Sequence, residues 1–127
     1  MSTELIRQYT TTLKRLINFY HTKSTNKSLS GRHQNRCNIL ISESPIQAIE
    51  FTGPKIYIYK DIINDGDLSL LAQYSNDVPE DESDLIECSC IVADIWENIT
   101  ETEKVLVTQY VQKLLHTYVS YLLLDTT

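Results

Sequence analysis

Apolar side chains return every three or four residues over positions 3–21, at Leu5, Ile6, Tyr9, Leu13, Leu16, Ile17 and Tyr20, while Arg7, Lys14 and Arg15 fall off that stripe. The period is that of one face of an amphipathic helix, with Thr3 as its expected N-cap and Glu4 favoured by the positive end of the helix dipole. The pattern then lapses. Residues 22–36, TKSTNKSLSGRHQNR, carry a single apolar side chain, Leu29, and read as a flexible basic loop. Ser44-Pro45 starts a second helix, because serine caps well and proline at the first helical position gives up an N–H that has no partner anyway. Ile46, Ile49 and Phe51 are expected to form its buried side. Gly53-Pro54 is expected to end this helix and begin another, since glycine accepts the left-handed C′ conformation and proline disrupts a helix already under way. Ile56, Tyr59, Ile62 and Ile63 give that next helix its stripe, although residues 56–59 alone would pass for a strand.

Asn64-Asp65-Gly66 reads as a turn, with Asp67 capping a short helix over residues 69–74. Residues 75–83, SNDVPEDES, form an acidic loop. Asp84 and Glu87 then resemble a capping box, and Leu85, Cys88, Val92, Ile95, Trp96 and Ile99 follow at helical spacing. Thr100 and Glu103 make a cleaner capping box for the last helix, whose Val107, Tyr110, Val111, Leu114, Tyr118 and Leu122 carry it to about residue 124. The pattern therefore predicts an all-α protein, a compact single-domain bundle of about five or six helices over residues 1–127, with long N- and C-terminal helices framing the core.

Length and composition agree with one core. The chain has 127 residues, 42% of them hydrophobic and 22% charged, and two cores of about 60 residues each would both be marginal. No window approaches the roughly 20 apolar residues of a membrane span. The start, MSTELIRQY, lacks the basic and apolar regions of a signal peptide, so a cytoplasmic protein with no membrane contact is expected. Cys37, Cys88 and Cys90 are too few for a disulfide framework and are read as reduced thiols. The two glycosylation-like triplets, at Asn26 and Asn98, then have no meaning in that compartment.

Charge changes the picture more than composition does. Residues 1–60 hold nine Lys/Arg against three Glu, a formal +6, whereas residues 61–127 hold Lys104 and Lys113 against fourteen carboxylates, a formal −12. This asymmetry points to charged partners, to other copies of the chain or to pairing between its own halves. The basic side offers Lys23, Lys27, Arg32 and Arg36, with Lys14 and Arg15 extending the field. The acidic side offers Asp77, Glu80, Asp81, Glu82 and Asp84. These nine are the candidate partner-binding residues, serving either a protein partner or self-association. Nucleic acid is the alternative for the basic set, which neutralises phosphates well but has no interleaved aromatic residue on which bases would stack.

Catalytic and metal chemistry find little to rest on. Cys88 and Cys90 have the short spacing of zinc ligands, but on a helix residues two apart point about 200° from each other, and a closed site needs four ligands. Asp61, Asp65 and Gly66 imitate part of a calcium loop, yet Ile63 and Ala72 stand where that loop needs oxygen ligands. No nucleophile elbow, HExxH or phosphate-cradling glycine loop is present. His116 sits on the last helix without a recognisable partner. A non-enzymatic protein is expected, with no catalytic, cofactor-binding or metal-binding residue assigned.

The stretch GPKIYIYKDIINDGD over residues 53–67, followed by a short helix, an acidic loop and then Trp96, Lys104, Tyr110 and Leu114, resembles small helical proteins of nucleocytoplasmic large DNA viruses. The resemblance covers about residues 45–120 and carries no catalytic signature. It implies an all-helical fold, expression in the cytoplasm of an infected cell, and a place in the virion or the virus factory.

Overall fold

The computed structural model describes residues 2–71, 92 and 95–125. Among these there are five α-helices and no strand: α1 (Ser2–Lys23), α2 (Lys27–Glu43), α3 (Pro45–Tyr57), α4 (Lys60–Asp65) and α5 (Glu101–Asp125). A single helical turn, Trp96–Asn98, precedes α5. The long first and last helices form the most extensive contact of the fold, α3 packs on both, α2 packs on α1 and α3, and α4 lies against α5.

The core is what the two long stripes predict. Tyr9, Leu13, Leu16, Ile17 and Tyr20 of α1 are buried against Val107, Val111, Leu114, Leu115 and Tyr118 of α5. Shorter segments add Ile49, Ile56, Ile63, Leu68, Leu71, Val92 and Ile95 to this core. The phenol of Tyr9, fully buried, is satisfied by the Thr52 hydroxyl at 2.7 Å, and Thr52 in turn donates to the Ala48 carbonyl at 2.6 Å. A buried tyrosine keeps its hydrogen bond in this way while its ring fills the core.

Local chemistry sets several boundaries. Ser44 caps α3, its hydroxyl accepting from the Gln47 N–H at 3.3 Å, with Pro45 in the first turn. Gly66 closes α4 at φ 85°, a left-handed conformation that glycine adopts without steric cost. The Asp67 side chain then receives the Ser69 N–H at 3.2 Å. Thr100 and Glu103 form the reciprocal capping box: Thr100 N–H donates to Glu103 Oε1 at 2.9 Å, and Glu103 N–H donates to Thr100 Oγ1 at 3.1 Å. The other oxygen of Glu103 takes the Lys23 ammonium at 2.7 Å, so this carboxylate also ties the end of α1 to the start of α5. Lys23, and then the Thr100 amide, hold the Glu103 carboxyl below its usual range.

Five expectations are corrected. Residues 22–36 are not a basic loop, because α2 begins at Lys27 with the Asn26 side chain accepting from the Leu29 N–H at 3.0 Å. Its buried face is Ser30, Cys37 and Ile41, and so carries almost no apolar period; contact with α1 and α3 holds it. Gly53-Pro54 does not divide α3, which runs through both residues. Pro54 and Glu50, whose carbonyl loses its helical donor, are both exposed to water. Ile46 and Phe51 lie on the exposed side of α3, and Ala48, Ile49, Thr52, Gly53 and Ile56 make the buried one. Finally, α1 already includes Thr3, and Trp96–Asn98 is a tight turn leading to an extended Ile99 rather than the end of an α-helix. The expected acidic loop at 75–83 and the helix start at Asp84 lie outside the described residues.

Gly53 is demanded by packing. A Cβ there would stand 2.3 Å from Cδ1 of the Tyr118 ring, far inside contact distance, and the ring itself is packed in the core. Gly53→Ala is expected to destabilise the protein by about 1–3 kcal/mol in urea unfolding, as overpacking does. Combining it with Tyr118→Leu should recover part of that loss; additive losses would refute the steric account.

Candidate functional site

The basic residues do not form one site. Lys23 is committed to Glu103, and its ammonium also lies 5.8 Å from the centre of the Phe19 ring. Lys27 folds back on the end of α1, where Nζ donates to the His21 carbonyl and to the Thr22 carbonyl, the latter at 2.7 Å. A cation on terminal carbonyls is favoured by the negative end of the helix dipole. Arg32 and Arg36 are on the exposed side of α2, and Lys14 and Arg15 on the exposed side of α1. Asp77, Glu80, Asp81, Glu82 and Asp84, with Cys88 and Cys90, lie outside the described residues.

Two histidines bear on catalysis. His21 Nδ1 meets Ser30 Oγ at 2.6 Å, but Ser30 has no exposed surface at the α1–α2 contact, so the pair ties helices together and presents no nucleophile. His116 Nε2 meets Asn64 Oδ1 at 3.0 Å on the surface and thereby links α5 to α4. Beside that pair a shallow groove of about 450 Å³ runs between α4 and α5, walled by Tyr57, Lys60, Leu115 and Val119. The Lys60 ammonium sits at the edge of the Tyr57 ring and donates to its hydroxyl at 3.1 Å. Among the described residues no three His, Cys, Asp or Glu side chains gather as metal ligands. Cys37 is buried, and desolvation pushes its thiol up to about 11.

The strongest surface feature was misassigned in the sequence. On the outward side of α3, Gln47, Phe51, Pro54 and Ile58 follow one another at steps of four, three and four residues, and all four are exposed. Ile58 continues the helical path at φ −62° and ψ −20°. Phe51 retains 47% and Ile58 69% of their accessible surface, large values for such side chains. Ile46 and Tyr57 add apolar surface on the flank toward α5, where Tyr118 packs edge-on to Tyr57 and the Tyr121 hydroxyl donates to Glu50 at 3.3 Å. Leu123 and Leu124 are exposed at the end of α5 and Val105 near its start, so with Ile58 counted at the end of α3, seven of the nine exposed large apolar side chains among the described residues belong to these two packed helices. The spacing is present in the sequence but crosses Gly53-Pro54, which locally has the chemistry of a helix boundary.

No described helix is long and apolar enough to cross a membrane. No known protein family, curated protein or solved structure matches the chain. The class is therefore defined by the fold alone: a small protein, all-α among the described residues, whose α3 turns an apolar face outward.

Lys27→Ala is expected to lower the thermal midpoint by about 2–3 °C, the size of a charge contact at a helix end, whereas Arg32→Ala should leave it unchanged. Equal effects would refute the structural role of Lys27. Because the Cys37 thiol is raised in the fold, its contribution to stability is complete below the ordinary thiol range and declines as pH rises from there through about 11. Alkylation followed by peptide mapping at pH 8 should accordingly leave Cys37 unlabelled until denaturant is added; rapid native labelling would contradict its burial.

Proposed function

We propose that this chain is a non-enzymatic protein-interaction or assembly domain that docks through the outward face of α3, with its charge asymmetry steering the approach. The observation that carries this reading is the exposed stripe of Phe51, Pro54 and Ile58, with Ile46 and Tyr57 beside it. Scattered apolar side chains are normal on a protein surface, but grouped ones mark interaction sites. Residues 72–91 add six carboxylates and no Lys or Arg, which suits long-range steering toward a basic partner surface. Asp77, Glu80, Asp81, Glu82 and Asp84 belong to that set.

The resemblance to proteins of large DNA viruses supports a place for such a domain in a virion or virus factory in the cytoplasm of an infected cell. Nucleic-acid binding is the second reading and draws on Arg32 and Arg36, which remain on the surface of α2. With Lys23 and Lys27 engaged at helix ends, that reading has fewer cations to use.

A photo-crosslinking amino acid placed at Ile58 in cells that produce the protein is expected to yield adducts of discrete mass, whereas the same group at Arg32 should yield none. Adducts from neither position would overturn the docking reading. Duplex binding at low salt that is lost in Arg32→Ala/Arg36→Ala would move nucleic acid to first place.

A further inference from the structure

The exposed stripe of α3 has the periodicity of a coiled-coil seam. Steps of four, three and four place Gln47 and Pro54 at one core position of the heptad and Phe51 and Ile58 at the other. Glu50 immediately precedes Phe51, and Lys55 immediately follows Pro54, so the two charges flank the seam on opposite sides. Glu50 is exposed and Lys55 partly exposed. We infer that the outward face of α3 pairs in parallel with α3 of a second copy of this chain, the Phe51 and Ile58 side chains meeting their counterparts while Glu50 of each copy faces Lys55 of the other. The inference rests on the docking reading above and names its partner.

Charge fixes both the occupant and the direction. In a parallel pair, the flanking position before one core residue meets the opposite flank of the partner helix five residues further on, and five residues separate Glu50 from Lys55. Twofold symmetry then makes two such contacts from one sequence. In an antiparallel pair like flanks meet, so glutamate would face glutamate and lysine would face lysine. An unrelated partner would have to bring its own matched stripe and charges; a second copy has them already.

The seam is short. Twelve residues of helix span about 18 Å, so the interface is small and the pairing weak and concentration-dependent. Proline at one core position leaves Phe51 and Ile58 as the main apolar contacts. Tyr121 holds the Glu50 carboxylate from the α5 side, which restricts its rotamers on that flank.

The test is light scattering coupled to size exclusion on the full chain over a range of concentrations, with circular dichroism to confirm that each variant stays helical. The wild-type mass should rise with concentration toward twice 14.7 kDa. Glu50→Lys and Lys55→Glu should each weaken pairing by about tenfold, through like charges across the seam. An equimolar mixture of the two variants should pair as wild type does, because each then supplies the charge the other lacks. Phe51→Asp should abolish pairing in every combination. A wild-type chain that stays monomeric throughout overturns the inference, as does a dimer indifferent to these charges or a mixture that fails to re-pair. In each of those cases crosslinks from Ile58 at a mass other than the dimer would leave the docking reading standing.

Discussion

The close approach of α3 to α5 at Gly53 and Tyr118 governs the rest of the surface. With no side chain on Gly53, the Tyr118 ring lies directly against the α3 backbone, and this contact sets the rotation of α3 about its own axis. Tyr9, reaching from α1 to Thr52, anchors the next residue of that buried face. Once that face is turned inward, Phe51, Pro54 and Ile58 have nowhere to point but out. An apolar outer face is thus a geometric consequence of a well-packed inner one, on a helix whose composition is apolar nearly all round.

Helix ends use much of the charge that the sequence sets apart. Glu103 serves two helices at once, one oxygen receiving the Thr100 N–H and the other the Lys23 ammonium. Lys27 covers carbonyls at the end of α1, and Lys104 sits 5.6 Å above the centre of the Trp96 ring. Such contacts are individually modest at a solvated surface, but they explain why a run of basic residues in sequence does not become a basic patch in space. Lys23 and Lys27 are placed by electronegative groups that the fold brings to them.

What was legible and what was not divides along the same physical line. α1 and α5 were readable because a long helix that buries one face must repeat apolar residues along it, and the caps at Ser44 and Thr100 and the turn at Gly66 were readable because capping and turn chemistry are local. α2 was invisible. Its buried positions are Ser30, Cys37 and Ile41, and Ser30 is made acceptable inside by His21, a residue nine positions away that no periodicity connects to it. At α3 the composition was read correctly and the faces were not, since Ile46, Ile49, Phe51, Ile56 and Ile58 leave several apolar stripes to choose among.

By itself, then, the sequence determined an all-helical chain, the two long framing helices, the Thr100 cap of the second and the separation of charge along the chain, because each of these depends on residues within a few positions of one another. Only the tertiary structure decided that residues 27–43 are helical, that α3 passes unbroken through Gly53-Pro54, and which of its apolar faces meets water. Those outcomes depend on side chains from α1 and α5 that are distant in sequence, and a helix with more apolar surface than one core contact can cover has no local rule for choosing the face it hides.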